Sequence, residues 1–376
     1  MTEQELSLFL KPQTLRPAAS HGSEITRRFA MNRVGRMLAA AIQDKSIRLY
    51  DARNCEEIQR MSDDHLCTSI AFSPKGDIVA SGSVGRVVKL WDIRTAELLA
   101  TLEGHSYPIL SLAFSPDGDR LVSASGDTTL KIWDTSNYSE LATLRGHALY
   151  VKTCDWDPNG NRIVSGSVDS TIIEWNPSSG KATKKHEDHR TAVHTLRFTT
   201  DGSTMASGSS DNSIIIWDAQ GGALKGSRVL LGHLNEVRAV SFSSDGRYLA
   251  SGSSDKDLYI WSTEDYTIEG EGRTDSEIDG LEWYHDEHSF LSSDGTGAIL
   301  RWDVLDLASM LAPFESLLKE IESDPQLAQK DALIEKYESL LGQYDEETLK
   351  DKRLFYIQWQ CKKALGLLKG KTRKLD

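Results

Sequence analysis

Gly104-His105-Ser106-Tyr107-Pro108 opens the stretch that runs GHSYPILSLAFSPDGDRLVSASGDTTLKIWD from Gly104 to Asp134, and its reading decides the fold. Apolar residues alternate over Ile109 to Phe114, over Arg120 to Ser125 and over Leu130 to Trp133, a period of two that predicts three short strands. Between the first two lies Ser115-Pro116-Asp117-Gly118, in which proline presets one backbone angle and glycine tolerates the positive one that a tight return needs. Related turns recur at Ser73-Pro74-Lys75-Gly76, Asp157-Pro158-Asn159-Gly160 and Ser243-Ser244-Asp245-Gly246. The whole unit recurs as well. Its anchors are Tyr50-Asp51, Trp91-Asp92, Trp133-Asp134, Trp175-Asn176, Trp217-Asp218, Trp261-Ser262 and Trp302-Asp303, spaced 41 to 44 residues apart, so one slot accounts for six of the nine tryptophans. A unit of this length with four short strands has the size of one antiparallel blade, and seven blades set radially make an all-β, seven-bladed propeller.

The glycine-histidine pairs Gly104-His105, Gly146-His147 and Gly232-His233, with the tryptophan pairs downstream, resemble those of the WD-repeat family over residues 21 to 303. An aspartate stands six residues before the aromatic anchor at Asp44, Asp127, Asp169, Asp211 and Asp255. Four units bring together the side-chain types of a serine hydrolase: His105, Ser123, Asp127, Trp133; His147, Ser165, Asp169, Trp175; His189, Ser207, Asp211, Trp217; and His233, Ser251, Asp255, Trp261. A catalytic triad needs one cleft with an oxyanion hole, not four equivalent copies. The resemblance implies a structural role, with aspartate and serine holding the imidazole and the imidazole reaching the indole nitrogen. Units one, two and seven depart from the pattern at Ala40, Tyr50, Gly85 and Thr296, and are expected to be the softer part of the ring.

After Trp302-Asp303 the chain supplies no fourth strand for the last blade. Residues 6 to 16 are expected to provide it and so remove an exposed sheet edge; a disordered leader is the alternative. Residues 1–20 are thus the closing segment, 21–303 the seven units and 304–376 a helical extension. In the extension Leu307, Met310, Leu311, Phe314, Leu317, Leu318 and Ile321 share one helical face. A second helix is expected to start at Asp324-Pro325 and end near Gly342, and a third to run from Asp345 to about Leu368. Three fates stay open for their apolar faces: packing on each other and on the propeller, self-association, or docking onto another protein. The basic tail Lys369, Lys371, Arg373, Lys374 reads as a solvated complement to a helix end or as a nuclear-import patch.

The net charge of −13 and sequence pI near 5.3 argue against a nucleic-acid binder. No stretch reads as a secretory signal or a membrane span. Four scattered cysteines, Cys55, Cys67, Cys154 and Cys361, predict a reducing compartment, the cytoplasm first and the nucleus second. No phosphate loop, metal site or cofactor site is legible. His186-Glu187-Asp188-His189 is set aside as a metal site because His189 already fills a structural slot, while Asp63-Asp64 and Asp345-Glu346-Glu347 read as a solvated loop and a helix start.

Function is therefore sought in residues the repeat does not prescribe. Five residues after the histidine slot, near the channel mouth, the seven units read Arg27, Thr68, Leu110, Lys152, His194, Arg238 and Asp279. Three fixed positive charges and one negative face one another there, an arrangement that draws in an acidic or phosphorylated segment of a partner or else balances nearby aspartates. Tyr107, Leu149 and Tyr150 precede neighbouring inner strands and suit an interface. The expected function is a non-catalytic scaffold or adaptor for a multiprotein complex. The alternative is a substrate receptor of a cullin-RING ubiquitin ligase, on the likeness of Trp91-Asp92-Ile93-Arg94 and Tyr50-Asp51-Ala52-Arg53 to the tryptophan-aspartate-any-arginine boxes of such receptors.

Overall fold

The computed structural model describes residues 8–16, 26–32, 37–52, 54, 56–284, 289–323, 330–343, 358 and 361. Seven four-stranded sheets follow one another, and we number these blades 1 to 7. Blade 3 is typical: Ile109–Phe114, Arg120–Ser125, Thr129–Asp134 and Glu140–Arg145 pair antiparallel in chain order. The first strand of each blade abuts the first strand of the next, and the strand Ile278–Trp283 of blade 7 abuts Thr26–Asn32 of blade 1, which closes the ring. The last sheet has the order Leu8–Arg16, Ile299–Asp306, Ser289–Asp294, Ile278–Trp283. The segment preceding the first unit thus supplies the missing outer strand, and the neighbouring strand runs to Asp306, three residues beyond the boundary expected from the anchor pair.

The inter-strand turns follow from local chemistry. In blade 3 the Gly118 N–H donates to the Ser115 carbonyl at 2.9 Å with Gly118 at φ +79°, and the Ser115 hydroxyl accepts the Arg120 N–H while donating to Asp117. Between the second and third strands, Asp127 accepts the Thr129 N–H and hydroxyl through Oδ1, which holds Thr128 at φ +72°.

The core lies between blades rather than within them. Val122, Leu130 and Ile132 of blade 3 pack with Val151, Cys154, Ile163 and Trp175 of blade 4. Met31, Leu38, Ile42 and Tyr50 of blade 1 pack with Tyr284, Leu291 and Ile299 of blade 7. Trp133, Trp175, Trp217 and Trp302 are fully buried. Each indole removes on the order of 200 Å² from water, worth about 5 kcal/mol at ~25 cal/mol per Å².

Residues 12–302 form one compact unit, and residues 1–11 with 303–376 form another. In the second, helix α1 spans Leu307–Ser323 and helix α2 spans Lys330–Leu341. Phe314, Leu317 and Leu318 are buried as the helical spacing predicts, Phe314 meets the Tyr337 ring at 6.3 Å, and the buried Cys361 thiol donates to the Phe314 carbonyl. The helices therefore pack on each other. Asp324-Pro325, the basic tail and most of the expected third helix lie outside the described residues, although Gln358 and Cys361 are helical.

Candidate functional site

The four hydrolase-like sets assemble as sequence spacing brings them together, but in a different order of contact. In blade 3 the Trp133 indole N–H donates to Ser123 Oγ at 2.8 Å, Ser123 Oγ lies 2.8 Å from His105 Nε2, and His105 Nδ1 lies 2.7 Å from Asp127 Oδ2. The other sets repeat it: Trp175, Ser165, His147, Asp169; Trp217, Ser207, His189, Asp211; and Trp261, Ser251, His233, Asp255. The indole thus reaches the serine and not the imidazole, contrary to expectation. An indole N–H only donates, and with Nδ1–H directed at the carboxylate, Nε2 is left to accept the serine proton. All four serines are 0 % exposed, so no substrate carbonyl reaches them.

Burial raises the Asp127, Asp169 and Asp211 carboxyls, but hydrogen bonds from histidine, hydroxyl and backbone N–H outweigh it and hold all three well below the usual carboxylate range. Blade 2 solves the same problem differently. Asp63 stands in the histidine slot, buried, and pairs with Lys89 at 2.8 Å beside the Trp91–Ser81 bond. Asp63 is therefore not the solvated loop residue expected of it, whereas Asp64 is open to solvent. His186 is engaged within the fold: its Nε2 contacts Glu174 at 2.7 Å, while His189 sits in its own set. Among the described residues, no group of histidine, cysteine and carboxylate side chains has metal-holding geometry.

At the channel mouth the seven unprescribed residues share a backbone feature. Each inner strand skips one residue in its register with the second strand, and the skipped residues are Arg27, Thr68, Leu110, Lys152, His194, Arg238 and Asp279. A β-bulge leaves its extra residue out of the ladder and re-aims its side chain. Six of these residues, with Leu66, Val84 and Arg28, line a cavity of about 410 Å³. In blade 1 the described lining residue is Arg28; the Arg27 side chain lies outside the described residues.

The charge at the mouth also differs from expectation, because two further carboxylates reach it from the loops before the inner strands. Arg238 binds Glu277 and Asp279, the latter at 2.7 Å, and lies 3.7 Å from Glu236. Arg28 donates to the Asp279 carbonyl at 2.7 Å; open to the channel yet crowded by protein, its guanidinium is lowered by desolvation, with Asp279 opposing. His194 contacts Ser210 at 2.6 Å, and burial lowers it so that it is neutral near pH 7. Lys152 has no carboxylate partner among the described residues. Desolvation lowers its ammonium, and repulsion by Arg28 and Arg238 adds to that. The blade 6 and 7 side is thus neutralised, while Lys152 shares the mouth with the apolar Leu66, Val84 and Leu110.

Tyr107, Leu149 and Tyr150 are about half exposed, and the two tyrosine rings lie 5.8 Å apart. Val84 and Leu234, in loops at the same ends of the strands, are exposed too, Leu234 at 82 %. The sequence carried that signal: each is apolar in a loop where the repeat demands no apolar residue. Arg94 projects into solvent from a turn in which Asp92 accepts the Arg94 and Thr95 N–H groups; Arg53 lies outside the described residues.

Comparison with known proteins matches the WD40 family model (WD domain, G-beta repeat) to residues 56–92, 96–134, 138–176, 180–218 and 225–262, together more than half of the chain. The chain belongs to the WD40 family. Its propeller is of the kind that generally serves as a platform for protein interactions. The chain is similar to the general transcriptional corepressor TUP1 of Saccharomyces cerevisiae, 33 % identical over 61 residues, which are 16 % of this chain and 9 % of the corepressor. It is also similar to the probable serine/threonine-protein kinase PkwA of Thermomonospora curvata, 35 % identical over 56 residues, 15 % of this chain and 8 % of the kinase. The matched segments span less than a tenth of either relative. Units one and seven, which lack most of the side-chain set, are where the family model finds little or nothing, yet their sheets close the WD40 ring.

Proposed function

We propose that this chain is a non-catalytic scaffold that captures a segment of a partner protein at the channel mouth, with an acidic side chain directed to Lys152 and apolar side chains on Leu66, Val84, Leu110 and the Tyr107–Tyr150 pair. The observation that carries this reading is an ammonium with no carboxylate partner among the described residues, in a 410 Å³ cavity lined also by Leu66, Val84 and Leu110, with the exposed Tyr107 and Tyr150 in loops that lead into neighbouring inner strands. With Arg238 already engaged by carboxylates, a single carboxylate suits the mouth better than a dianionic phosphate. A charge-assisted hydrogen bond to Lys152 is worth about 1.5 to 3 kcal/mol. Lys152→Glu is therefore expected to reduce partner recovery at least tenfold in quantitative affinity purification, and Tyr107→Ala with Tyr150→Ala to reduce it similarly. Leu141→Ala, on an outer strand, serves as the control and leaves recovery unchanged. Undiminished recovery with Lys152→Glu in a chain that melts normally sinks the proposal.

Ligase-receptor activity is the second reading, favoured by the exposed Arg94; it requires that a ligase adaptor co-purify and be lost with Arg94→Ala. Cys67 and Cys154 are buried and form no disulfide among the described residues, which supports a reducing compartment, the cytoplasm first, as the place of work.

A further inference from the structure

At the ends of the inner strands opposite the channel mouth, the turns between first and second strands form a repeating wedge. The proline of one turn approaches the glycine of the next blade's turn: a Cβ built on Gly118 meets Pro74 Cδ at 3.4 Å, one on Gly160 meets Pro116 Cδ at 3.8 Å, and one on Gly202 meets Pro158 Cδ at 3.3 Å. The series of prolines then ends at blade 5, and blade 6 carries Ser244 in the same position. Thr200 stands where the proline of blade 5 belongs, and a Cβ on Gly246 meets nothing within 4 Å. A cavity of about 470 Å³ opens there, lined by Thr200, Phe242, Gly246, Thr263 and Tyr266 among others. A second cavity of about 210 Å³ shares Ser203, Thr204 and Tyr266 with it and continues along the gap between blades 5 and 6. No lysine or arginine lines either cavity, whereas Asp201, Asp218 and Asp245 do. Asp245 is bound by Arg247, but among the described residues Asp201 and Asp218 accept only donors of their own turns. Arg228 covers one face of Tyr266, and the Tyr266 hydroxyl has no acceptor among the described residues.

We propose that this notch docks a short extended segment of a partner protein that presents a proline to Gly246, where the fold's own prolines sit in the neighbouring gaps, and a flanking lysine or arginine to Asp201 or Asp218. Tyr266 and Phe242 supply the aromatic wall on which an extended proline segment packs, and the Tyr266 hydroxyl donates to a segment carbonyl. The site does not rest on the function proposed above, since it lies at the other ends of the strands.

Thr200→Pro tests it by restoring the missing wedge. Thr200 is the second residue of the turn closed by the Gly202 N–H to the Thr199 carbonyl, the position that proline occupies in blades 2 to 4, and its own N–H has no acceptor among the described residues. The variant is therefore expected to fold and to melt no lower than the parent. The probe is an array of decapeptides with a central proline flanked by lysine or arginine, each paired with its proline-to-alanine twin and with an acid-flanked twin, read by fluorescence anisotropy on the full chain. The expected result is that basic proline peptides bind at least tenfold better than both twins, that Thr200→Pro and the bulkier Thr200→Trp lose this binding, and that Thr200→Ala keeps it. Equal binding of the twins, no binding by any peptide, or full binding by Thr200→Pro overturns the proposal. So does sedimentation showing that the parent self-associates and Thr200→Pro does not, because the notch then takes a second copy of this chain.

Discussion

Substituting alanine for Glu174 is expected to destabilise the propeller by about 3 to 5 kcal/mol, the range for removing one member of a buried ionic network. Glu174 is 1 % exposed and receives Arg162 at 3.0 Å, His186 at 2.7 Å and the backbone N–H of Leu224 in blade 5 at 2.9 Å. Burial alone pushes its carboxyl up, yet those donors hold it below the usual range, so the group is ionised where it is needed. Alanine strands the Leu224 N–H and the His186 ring and leaves Arg162 with Asp157 as its sole carboxylate. In the neighbouring units the slot of Glu174 reads Leu90, Ile132, Ile216 and Ile260, and that of His186 reads Leu102, Leu144 and Leu230. The double variant Glu174→Ile with His186→Leu restores the apolar pattern and is expected to regain most of the loss, since well-packed hydrophobes often replace buried ion pairs without penalty. Urea unfolding followed by tryptophan fluorescence decides the matter; an unfolding free energy for Glu174→Ala within about 1 kcal/mol of the parent's contradicts it.

That network shows where the sequence was and was not legible. The indole period locates all seven blades, including the first and last, because a buried aromatic with a fixed distance to its turn leaves little freedom in unit length. The serine, histidine and aspartate of four units were equally visible, since every buried polar atom needs a partner and each unit uses the same one. What the pattern hid were departures that compensate each other across distance. Asp63 reads as a loop acid until Lys89 is found 26 residues on, and Glu174 and His186 read as isolated faults in apolar slots although each excuses the other. Each carried a signal: Asp63 stands where four other units place histidine, and Glu174 and His186 stand where neighbouring units place leucine or isoleucine. The mouth was legible in position but not in balance: the bulge residues follow from the period, whereas Glu236 and Glu277 reach Arg238 from loop positions whose residue type the repeat does not set. The notch leaves a partial trace in the sequence, a proline present in the turns of blades 2 to 4 and replaced by Thr200 and Ser244 in blades 5 and 6.

The second large effect is expected in acid. Asp127, Asp169 and Asp211 are stronger acids in the folded chain than an ordinary aspartate, and Asp255 is shifted in the same direction. As pH falls, the unfolded chain takes up these protons first, near the ordinary carboxylate pKa of about 4, so the stabilisation is fully present above that range and drains as pH drops towards the folded values. With side chains about one-tenth exposed, each site contributes on the order of 2 kcal/mol, and four sites lose it over the same interval. Stability is therefore expected to decline modestly below about pH 6.5, where unfolding frees His194 and His233 to take up protons that burial disfavours in the fold, and to fall steeply below about pH 4 as the carboxylates add their larger proton uptake. Asp169→Asn separates this from a general effect of charge. Asp169 Oδ2 accepts the Ala148 N–H and faces His147, while Oδ1 accepts the Thr171 N–H and hydroxyl, so an amide placed either way turns one acceptor into a donor facing donors. The variant should lose about 2 to 3 kcal/mol at neutral pH and show a shallower acid slope, because one of the four proton-linked sites is gone. A melting temperature at pH 7 indistinguishable from the parent, together with an unchanged slope, means that these carboxylates do not hold the blades together.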